Sequence, residues 1–453
     1  MSIEAQVSGE WFEPSATATV NGTLRLGDDW ELEVSSGLRP DPPDGDPNLL
    51  NNFEVIPVIW GTDGDGDEWS LLDSTFIPSA LPAFIGAADT LRPQAVLTGH
   101  HLAEDGLVVG FTLATDPLAM WAGNPVLGAE RHGDSTLVPT GETVLIESAT
   151  NGATVHLVAS VTWMLDNLHA TFERHVEWRV HLDEPQPWRS VVEDHVRPLT
   201  DLVSFAVGAY SKITDLHIYP ADQPDRPNPL RMRWHDGLAV TNPPKQHEAM
   251  FTLPMWNGDP AALLSGWHEA RARFAHTLTA ILARDRQPMH YVEDRIITAG
   301  GLIDTIAPAL EIETKEQATP EREAQIARIL GVLDTAALDA EDLDFARKAL
   351  RGRNDRTFRQ KFDDVAARAG AVGEHVLDAQ AGLGGDLAGL RGGPAHGKST
   401  DRAIEGHWAA EAARWIVCSV ILREIGFDPS AVDTRIVSQQ AFQRCLLGLR
   451  TGD

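Results

Sequence analysis

The spacing of apolar residues changes once along this chain, and that change limits the folds open to it. From about Trp11 to Tyr219, apolar side chains recur at about every second position, as in Trp30-Glu31-Leu32-Glu33-Val34. This alternation is typical of strands with one buried face. Beyond about residue 255 the apolar period becomes that of helices packed on one side. The sequence therefore predicts an α+β multidomain protein, with a mostly antiparallel β region followed by an all-α helical bundle.

A proline-rich passage at about residues 220–260 separates the two patterns. It contains Asp222-Gln223-Pro224-Asp225-Arg226-Pro227-Asn228-Pro229 and Asn242-Pro243-Pro244, which favour an irregular connection. A chain of 453 residues is long enough for two or three domains. We therefore predict a β-rich region at residues 1–255 and a helical domain at residues 256–453.

The helical period and the end signals predict a series of helices in the second region. They are Ala261–Arg284, Tyr291–Leu310, Pro320–Leu333, Ala340–Arg351, Phe358–Ala369, His375–Leu390, Asp401–Glu424 and Ser430–Leu449. A helix at Pro198–Ala209 and a strand at Ile213–Ile218 are predicted near the end of the β region.

The net charge of −29 argues at first against a nucleic-acid partner, because phosphates are bound by Lys and Arg. Residues 1–250, however, carry 37 Asp and Glu against 13 Lys and Arg, so most of the acidity belongs to the β region. The most basic stretch carries eight cations: Arg347, Lys348, Arg351, Arg353, Arg356, Arg359, Lys361 and Arg368. This pattern indicates either an RNA-binding track or a solvated helical face, and Lys398 is a further candidate for phosphate contact.

Cysteine content and hydropathy favour a cytoplasmic protein. Only Cys418 and Cys445 occur, which fits a reducing compartment better than a disulfide framework. No apolar run approaches the roughly 18 residues of a membrane span, and the start of the chain does not resemble a secretory signal. The doublet His100-His101 with Glu104 is better explained as polar residues at a strand end than as a metal site. We therefore expect neither metal nor cofactor, and no membrane contact.

Two catalytic motifs overlap in residues 390–399. Gly392, Gly397, Lys398 and Ser399 have the spacing of a Walker A phosphate loop, which joins a buried strand to a helix. The residues before Leu390 lack the run of Val and Ile that such a strand needs, so the Walker A interpretation is disfavoured.

The second motif is Arg391 followed after four residues by His396. Spacing alone does not select it, because Arg followed after four to six residues by His occurs seven times, including Arg402/His407 and Arg368/His375. Residues five apart in an unbroken helix project about 140° from each other, so Arg402 and His407 should face different sides. We expect Gly392-Gly393-Pro394 to break the helix and let Arg391 and His396 converge.

An Arg and a His brought together have the chemistry for metal-independent RNA cleavage. An imidazole that titrates near neutrality suits proton transfer at the 2′-hydroxyl or the leaving 5′-oxygen. The forked guanidinium matches the equatorial oxygens of a phosphorane. The alternative is structural, with Arg391 capping the carbonyls that end its helix and His396 filling a gap between helices.

These features resemble those of a known family of proteins. A helical bundle with Arg-x4-His at a helix junction, then Gly397 and a long helix ending in Leu422-Arg423-Glu424-Ile425-Gly426-Phe427, resembles the HEPN domain. The first region resembles the ApeA-type sensor domain that precedes such a HEPN domain. The motifs that carry this second resemblance are Val58-Ile59-Trp60-Gly61, Trp69-Ser70-Leu71-Leu72-Asp73, Val96-Leu97-Thr98-Gly99-His100, Phe111-Thr112-Leu113 and Leu118-Ala119-Met120-Trp121.

The resemblance implies an anti-phage abortive-infection protein. Its HEPN domain would cut host RNA, with tRNA as the expected substrate, after the sensor region detects a phage protein, and would act at least as a dimer. Arg391 would be the phosphate-contacting cation and His396 the catalytic imidazole, with Lys398, Arg351, Arg353, Arg356 and Arg359 as RNA-binding candidates. Gly392 stands where the family most often has Asn. A catalytically inactive, dimeric HEPN regulator therefore remains an alternative.

Overall fold

The structure is a computed structural model that describes most of the chain. The described residues are 3–16, 18–27, 30–35, 38, 55–77, 89–123, 130–132, 135–137, 142–166, 169–223, 228–235, 245–286, 291–312, 320–336, 338–351, 356–395 and 402–452. The chain divides into two compact units, Met1–Ser265 and Gly266–Asp453.

The first unit is built mainly from β-strands. They are β1 Ile3–Phe12, β2 Val20–Gly27, β3 Glu31–Val34, β4 Val55–Asp63, β5 Glu68–Ile77, β6 Asp89–Arg92, β7 Ala95–Thr98, β8 Leu107–Thr115, β9 Glu130–His132, β10 Ser135–Leu137, β11 Glu142–Thr150, β12 Ala153–Asp166, β13 His169–Pro187, β14 Ile213–Pro220 and β15 Leu230–Trp234.

Six of these strands close into an antiparallel ring in the order β1-β2-β3-β6-β5-β4. An antiparallel sheet in the order β11-β12-β13-β8-β14-β15 continues through β7 to β5 of the ring. Strands β9 and β10 form a separate hairpin. Closing a sheet on itself pairs what would otherwise be open strand edges. The predicted antiparallel β region is confirmed.

The alternation of apolar residues fills the ring with side chains. The buried cluster consists of Trp11, Leu24, Leu26, Trp30, Leu32, Val34, Leu38, Ile56, Ile59, Trp69, Leu71, Leu91 and Val96. Tryptophans supply much of this packing, as expected for aromatic residues with large apolar surfaces.

The hairpin between β4 and β5 is organised by one aspartate. The Asp63 carboxylate accepts the backbone N–H groups of Asp65 at 3.0 Å and Asp67 at 2.9 Å, and the Trp69 indole N–H at 3.1 Å. Asx-type bonds of this kind favour turns. The Asp-Gly pairs between β4 and β5 therefore lie in a hairpin turn, the structure that such pairs favour.

The described part of the first unit also contains three α-helices before residue 260: α1 Leu118–Trp121, α2 Trp188–Val191 and α3 Arg197–Val207. A π-helical turn at Val192–Val196 joins α2 to α3. The predicted helix at Pro198–Ala209 and the strand after it correspond to α3 and β14.

The second region is all-helical in its described residues, as predicted. Its helices are α4 Pro260–Arg273, α5 Ala275–Arg286, α6 Val292–Ala309, α7 Pro320–Thr335, α8 Ala340–Arg351, α9 Phe358–Arg368, α10 Ala371–Ala379, α11 Leu383–Ala395, α12 Ala403–Ile425, α13 Pro429–Val437 and α14 Gln440–Thr451. Among the described helices, none is long and apolar enough to cross a membrane.

Three of the predicted helices are each two helices in the structure. The predicted Ala261–Arg284 is α4 and α5, His375–Leu390 is parts of α10 and α11, and Ser430–Leu449 is α13 and α14. Gly382 separates α10 from α11 with φ of +83°, a left-handed conformation that glycine adopts without a steric penalty.

Helix α6 lies at the centre of the helices that form the site described next. It packs against α5, α9, α11 and α12. Its buried side chains include Ile296, Leu302, Ile303 and Ile306. The partly exposed residues of α6 that face α9 and α11 are therefore brought next to the basic residues of those two helices.

Candidate active site

Arg391 lies in the last two turns of α11, whose backbone does not follow the predicted break. The helix continues through Gly392-Gly393-Pro394 to Ala395, and His396 is the next residue. The predicted break is therefore wrong: helix propensity is a weak guide, and α11, whose Leu387 and Leu390 are buried, stays helical to Ala395.

The Arg391 guanidinium is held by two neighbouring helices. Its Nη1 donates a hydrogen bond to Oδ2 of Asp304 on α6 at 2.6 Å. Its Cζ lies 4.3 Å from the centroid of the Phe358 ring at the start of α9. Such a contact between a cation and an aromatic face is attractive and fixes the plane of the guanidinium. These contacts connect the last turns of α11 with α6 and α9.

The approach of Arg391 to α6 depends on a glycine. Gly300 is buried, and a Cβ added to it would lie 2.9 Å from Cδ and 3.1 Å from Nη1 of Arg391. Gly300 and Asp304 are four residues apart, so they lie on the same face of α6. The glycine leaves room for the side chain whose charge the aspartate binds.

The Asp304 carboxylate also binds a second cation. Lys361 Nζ on α9 donates to Oδ1 of Asp304 at 3.1 Å. Partial burial would by itself raise the pKa of Asp304, but the hydrogen bonds from Arg391 and Lys361 outweigh it, so the pKa lies below its ordinary value. The carboxylate is therefore ionised at neutral pH and links two cations.

Several candidate residues lie outside the described part of the chain. His396, Lys398 and Arg353 are among them, and the side chain of Arg351, the last residue of α8, is as well. Their predicted roles stay predictions.

The described cations of the basic stretch mostly face carboxylates. Arg356 pairs with Asp364, and Arg359 lies 3.8 Å from Asp363. Both pairs are local to α9 and the residues just before it. Arg347 and Lys348 on α8 likewise contact Asp334 and Asp344. The described part of this stretch therefore does not present a continuous row of cations without counter-charges.

Comparison with known protein families assigns the strand-rich first unit to a family. The family model described as ApeA N-terminal domain 1 matches residues 6–267, which is more than half of the chain. The chain belongs to the ApeA family. This is a family of anti-phage defence proteins, and the predicted resemblance is confirmed for the region that the model matches. Searches of curated proteins and of solved structures each found no match.

The ApeA match ends before most of the helical unit. The all-helical second region of this ApeA-family chain is consistent with a HEPN domain. The assignment of catalytic roles there therefore rests on the side chains themselves.

The Walker A interpretation is not supported in the ApeA-family chain. A phosphate loop needs a strand before its first glycine, and Gly392 instead lies inside α11. The described residues of the second region contain no strand that could precede it.

The Arg402/His407 pair behaves as its spacing predicts. Arg402 forms an ion pair with Glu405 on the same helix, whereas His407 Nδ1 lies 3.0 Å from Nη1 of Arg295 on α6. Burial lowers the pKa of His407, with Arg295 nearby acting in the same direction. The two residues therefore do not form one site.

The His100-His101 doublet is not brought together around a metal either. His100 contacts Asp222 at 3.1 Å, whereas the His101 ring lies 2.9 Å from the Gly61 carbonyl oxygen and stacks on Trp60. Among the described residues, no group of three His, Cys, Asp or Glu side chains could hold a metal ion.

Asp304 and Phe358 were not identified from the sequence. They lie 87 and 33 positions before Arg391, and no local pattern links them to it. The available signal was a glycine and an aspartate four residues apart on one predicted helix, which becomes informative only when that helix is known to face α11.

Proposed function

We propose that this chain is a HEPN-type endoribonuclease of anti-phage defence, with Arg391 and His396 as its catalytic pair. The substrate is host RNA, with tRNA as the first candidate. The first unit senses a phage protein and controls the helical unit, which acts in the cytoplasm as at least a dimer. The observation that carries the proposal is the fixed guanidinium of Arg391, placed five residues before His396 at the end of α11.

Arg391 has the properties that a phosphorane-binding group needs. Its side chain is 34% exposed, so it is accessible, and Asp304 and Phe358 define its position before substrate arrives. Preorganised charge of this kind stabilises a transition state without reorganisation during the reaction. Among the described residues Asp304 accepts one N–H of Arg391, and a guanidinium has five, so other N–H groups can bind phosphate oxygens.

His396 supplies proton transfer in the proposed reaction. Its imidazole removes the proton of the 2′-hydroxyl as the 2′-oxygen attacks phosphorus. The bond from phosphorus to the 5′-oxygen then breaks, and the imidazolium returns the proton to that oxygen. The products are a 2′,3′-cyclic phosphate and a 5′-hydroxyl, and the sequence of steps needs no metal ion or cofactor.

The proposal predicts RNA cleavage that depends on His396. Cells expressing the wild-type chain and challenged with phage should accumulate RNA fragments with 2′,3′-cyclic phosphate ends. His396→Ala and Arg391→Ala should each lower this cleavage by about 10²-fold or more, the usual contribution of acid–base and oxyanion-type groups. Sequencing of tRNA and other RNA ends measures the effect.

His375→Ala is a matched control. His375 is exposed on α10 and belongs to Arg368/His375, another pair with the Arg-x(4–6)-His spacing. This variant should cleave RNA as the wild type does. If RNA in cells expressing the wild-type chain is as intact as in cells expressing His396→Ala, the nuclease proposal is refuted. That result would favour the inactive dimeric regulator, the alternative that Gly392 supports.

A further inference from the structure

The carboxylate of Asp304 is shared between two cations from different helices. Lys361 Nζ binds Oδ1 at 3.1 Å and Arg391 Nη1 binds Oδ2 at 2.6 Å. The side chains of Lys361, Asp304 and Arg391 are 25%, 36% and 34% exposed, so the group lies at the surface of the helical unit. The net charge of the three side chains is therefore +1.

Stability does not account well for this arrangement. Ion pairs with this much exposure contribute roughly 0–1 kcal/mol, because water already solvates the charges. The buried pair of Arg414 and Asp285 in the same unit offers a contrast: its side chains are 10% and 7% exposed, and their nitrogen and oxygen atoms are 3.1 Å apart. Arg414–Asp285 has the burial of a structural pair, whereas Asp304 and its two cations are accessible to a ligand from solvent.

Lys361 also differs from its neighbours in the basic stretch. Lys348 pairs with Asp344 one turn away at 2.7 Å, a contact within one helix. Lys361 instead reaches across to α6 and to the carboxylate that holds Arg391, 57 positions earlier in the chain. The Asp304 carboxylate thus connects the ammonium group of Lys361 with the proposed catalytic guanidinium of Arg391.

We infer that Lys361 is a second phosphate-binding cation of this site and holds a phosphate of the RNA strand. Asp304 is a positioning residue that orients Lys361 and Arg391 together. This inference rests on the proposed function. The planar guanidinium provides directed hydrogen bonds at the reacting phosphate, whereas the compact ammonium group provides charge with little directional demand. The carboxylate keeps two like charges close before RNA arrives.

The salt dependence of RNA binding tests Lys361 without requiring cleavage. Binding of tRNA is measured by fluorescence anisotropy over a series of salt concentrations, with the full chain carrying His396→Ala so that the RNA stays intact. Each phosphate contact contributes about 0.7–0.9 to the slope of log K against log salt. Lys361→Gln should lower the magnitude of this slope by about that amount, and Lys361→Arg should restore it.

Lys348→Gln is the control, since it removes the same charge from a lysine that also faces an aspartate in the same stretch. It should leave the slope nearly unchanged. Equal slopes for Lys361→Gln and the parent would overturn the role of Lys361, and so would equal losses in both variants. Failure of the wild type to cleave RNA would count against the proposed function instead, so the two failures are distinguishable.

Asp304→Asn separates positioning from a structural role. Removing a negative charge beside two cations should keep tRNA affinity equal to the parent's or raise it, while the loss of orientation lowers the single-turnover cleavage rate by about 10–100-fold. A purely structural role would instead lower affinity and the melting temperature together. Weaker binding by a folded Asp304→Asn chain, or an unchanged cleavage rate, would overturn the assignment of Asp304.

Discussion

Replacing Gly300 by alanine should displace Arg391 while leaving the helical unit folded. Gly300 is buried on α6, and its added Cβ would lie 2.9 Å from Cδ and 3.1 Å from Nη1 of Arg391. The atoms in the way belong to the flexible part of an arginine side chain rather than to backbone. The side chain can therefore move aside, and its hydrogen bond to Asp304 and its contact with Phe358 would change with it.

The size of the displacement follows from the contact distances. Carbon atoms in contact are normally roughly 3.5–4.0 Å apart, so Cδ of Arg391 would have to move by about 0.6–1.1 Å. A misplacement of about 1 Å can lower the rate of a positioned reaction about 10²-fold. We therefore expect Gly300→Ala to lower RNA cleavage by about 10–100-fold. Its stability should change little, because alanine is favoured over glycine in a helix by about 1 kcal/mol, which offsets the crowding.

Gly301→Ala makes the same chemical change one position along the same helix. Gly301 is exposed, and nothing lies within 4 Å of a Cβ added there. Cleavage should equal that of the wild type. The melting temperature should rise by about 2–4 °C, the shift that 1 kcal/mol produces in a unit of 150–250 residues.

Single-turnover cleavage of tRNA and thermal unfolding followed by circular dichroism measure both effects. A double-mutant cycle then isolates the cause: if Gly300→Ala acts only through Arg391, it should lower activity no further in the Arg391→Ala background. Wild-type cleavage by a folded Gly300→Ala chain would refute the reasoning. Equal losses in the Gly300→Ala and Gly301→Ala chains would assign the effect to the mechanics of α6 instead.

Two further predictions concern stability. Asp285→Asn should destabilise the helical unit by about 3–5 kcal/mol in urea unfolding, because it leaves the buried guanidinium of Arg414 without its charged partner, whereas a cost below about 1 kcal/mol would contradict this account. Gly61→Ala should destabilise the first unit by at least about 1–3 kcal/mol, because its Cβ would lie 2.3 Å from the Trp11 ring, whereas Gly64→Ala, with nothing within 4 Å, should have little effect. Equal melting curves for the two glycine variants would show that the Trp11 contact is not tight.

The parts of the fold that local chemistry determines could be predicted from the sequence. Helix α8 has the predicted bounds, and α13 begins after Asp428, whose carboxylate accepts the N–H of Ala431 at 2.9 Å. The long helix α12 ends at Gly426, which has φ of +110°. Such caps satisfy backbone groups that a helix end leaves unpaired, so the residues that provide them are recognisable along the chain.

The predicted helix break at Gly392-Gly393-Pro394 was wrong for the opposite reason. Glycine and proline lower helix propensity by known amounts, but the outcome also depends on what the rest of the helix buries. Leu383, Leu387 and Leu390 lie at helical spacing, and all three are buried. Helix α11 packs against α6, α9 and α12, which come from distant parts of the chain, and its backbone stays helical through the glycines and the proline to Ala395.

The position of Arg391 illustrates why spacing between Arg and His could not identify a site. Seven pairs share that spacing, and what distinguishes Arg391 lies on another helix. Gly300 gives its side chain room and Asp304 binds its charge, from positions one turn apart on the same face of α6. Neither residue stands out in its own segment, since glycine and aspartate are common residues and α6 would form without this pair. A search of related chains for a glycine and an acid four residues apart on the helix that faces the Arg-x4-His segment is therefore a sharper test of the site than the Arg-x4-His spacing itself.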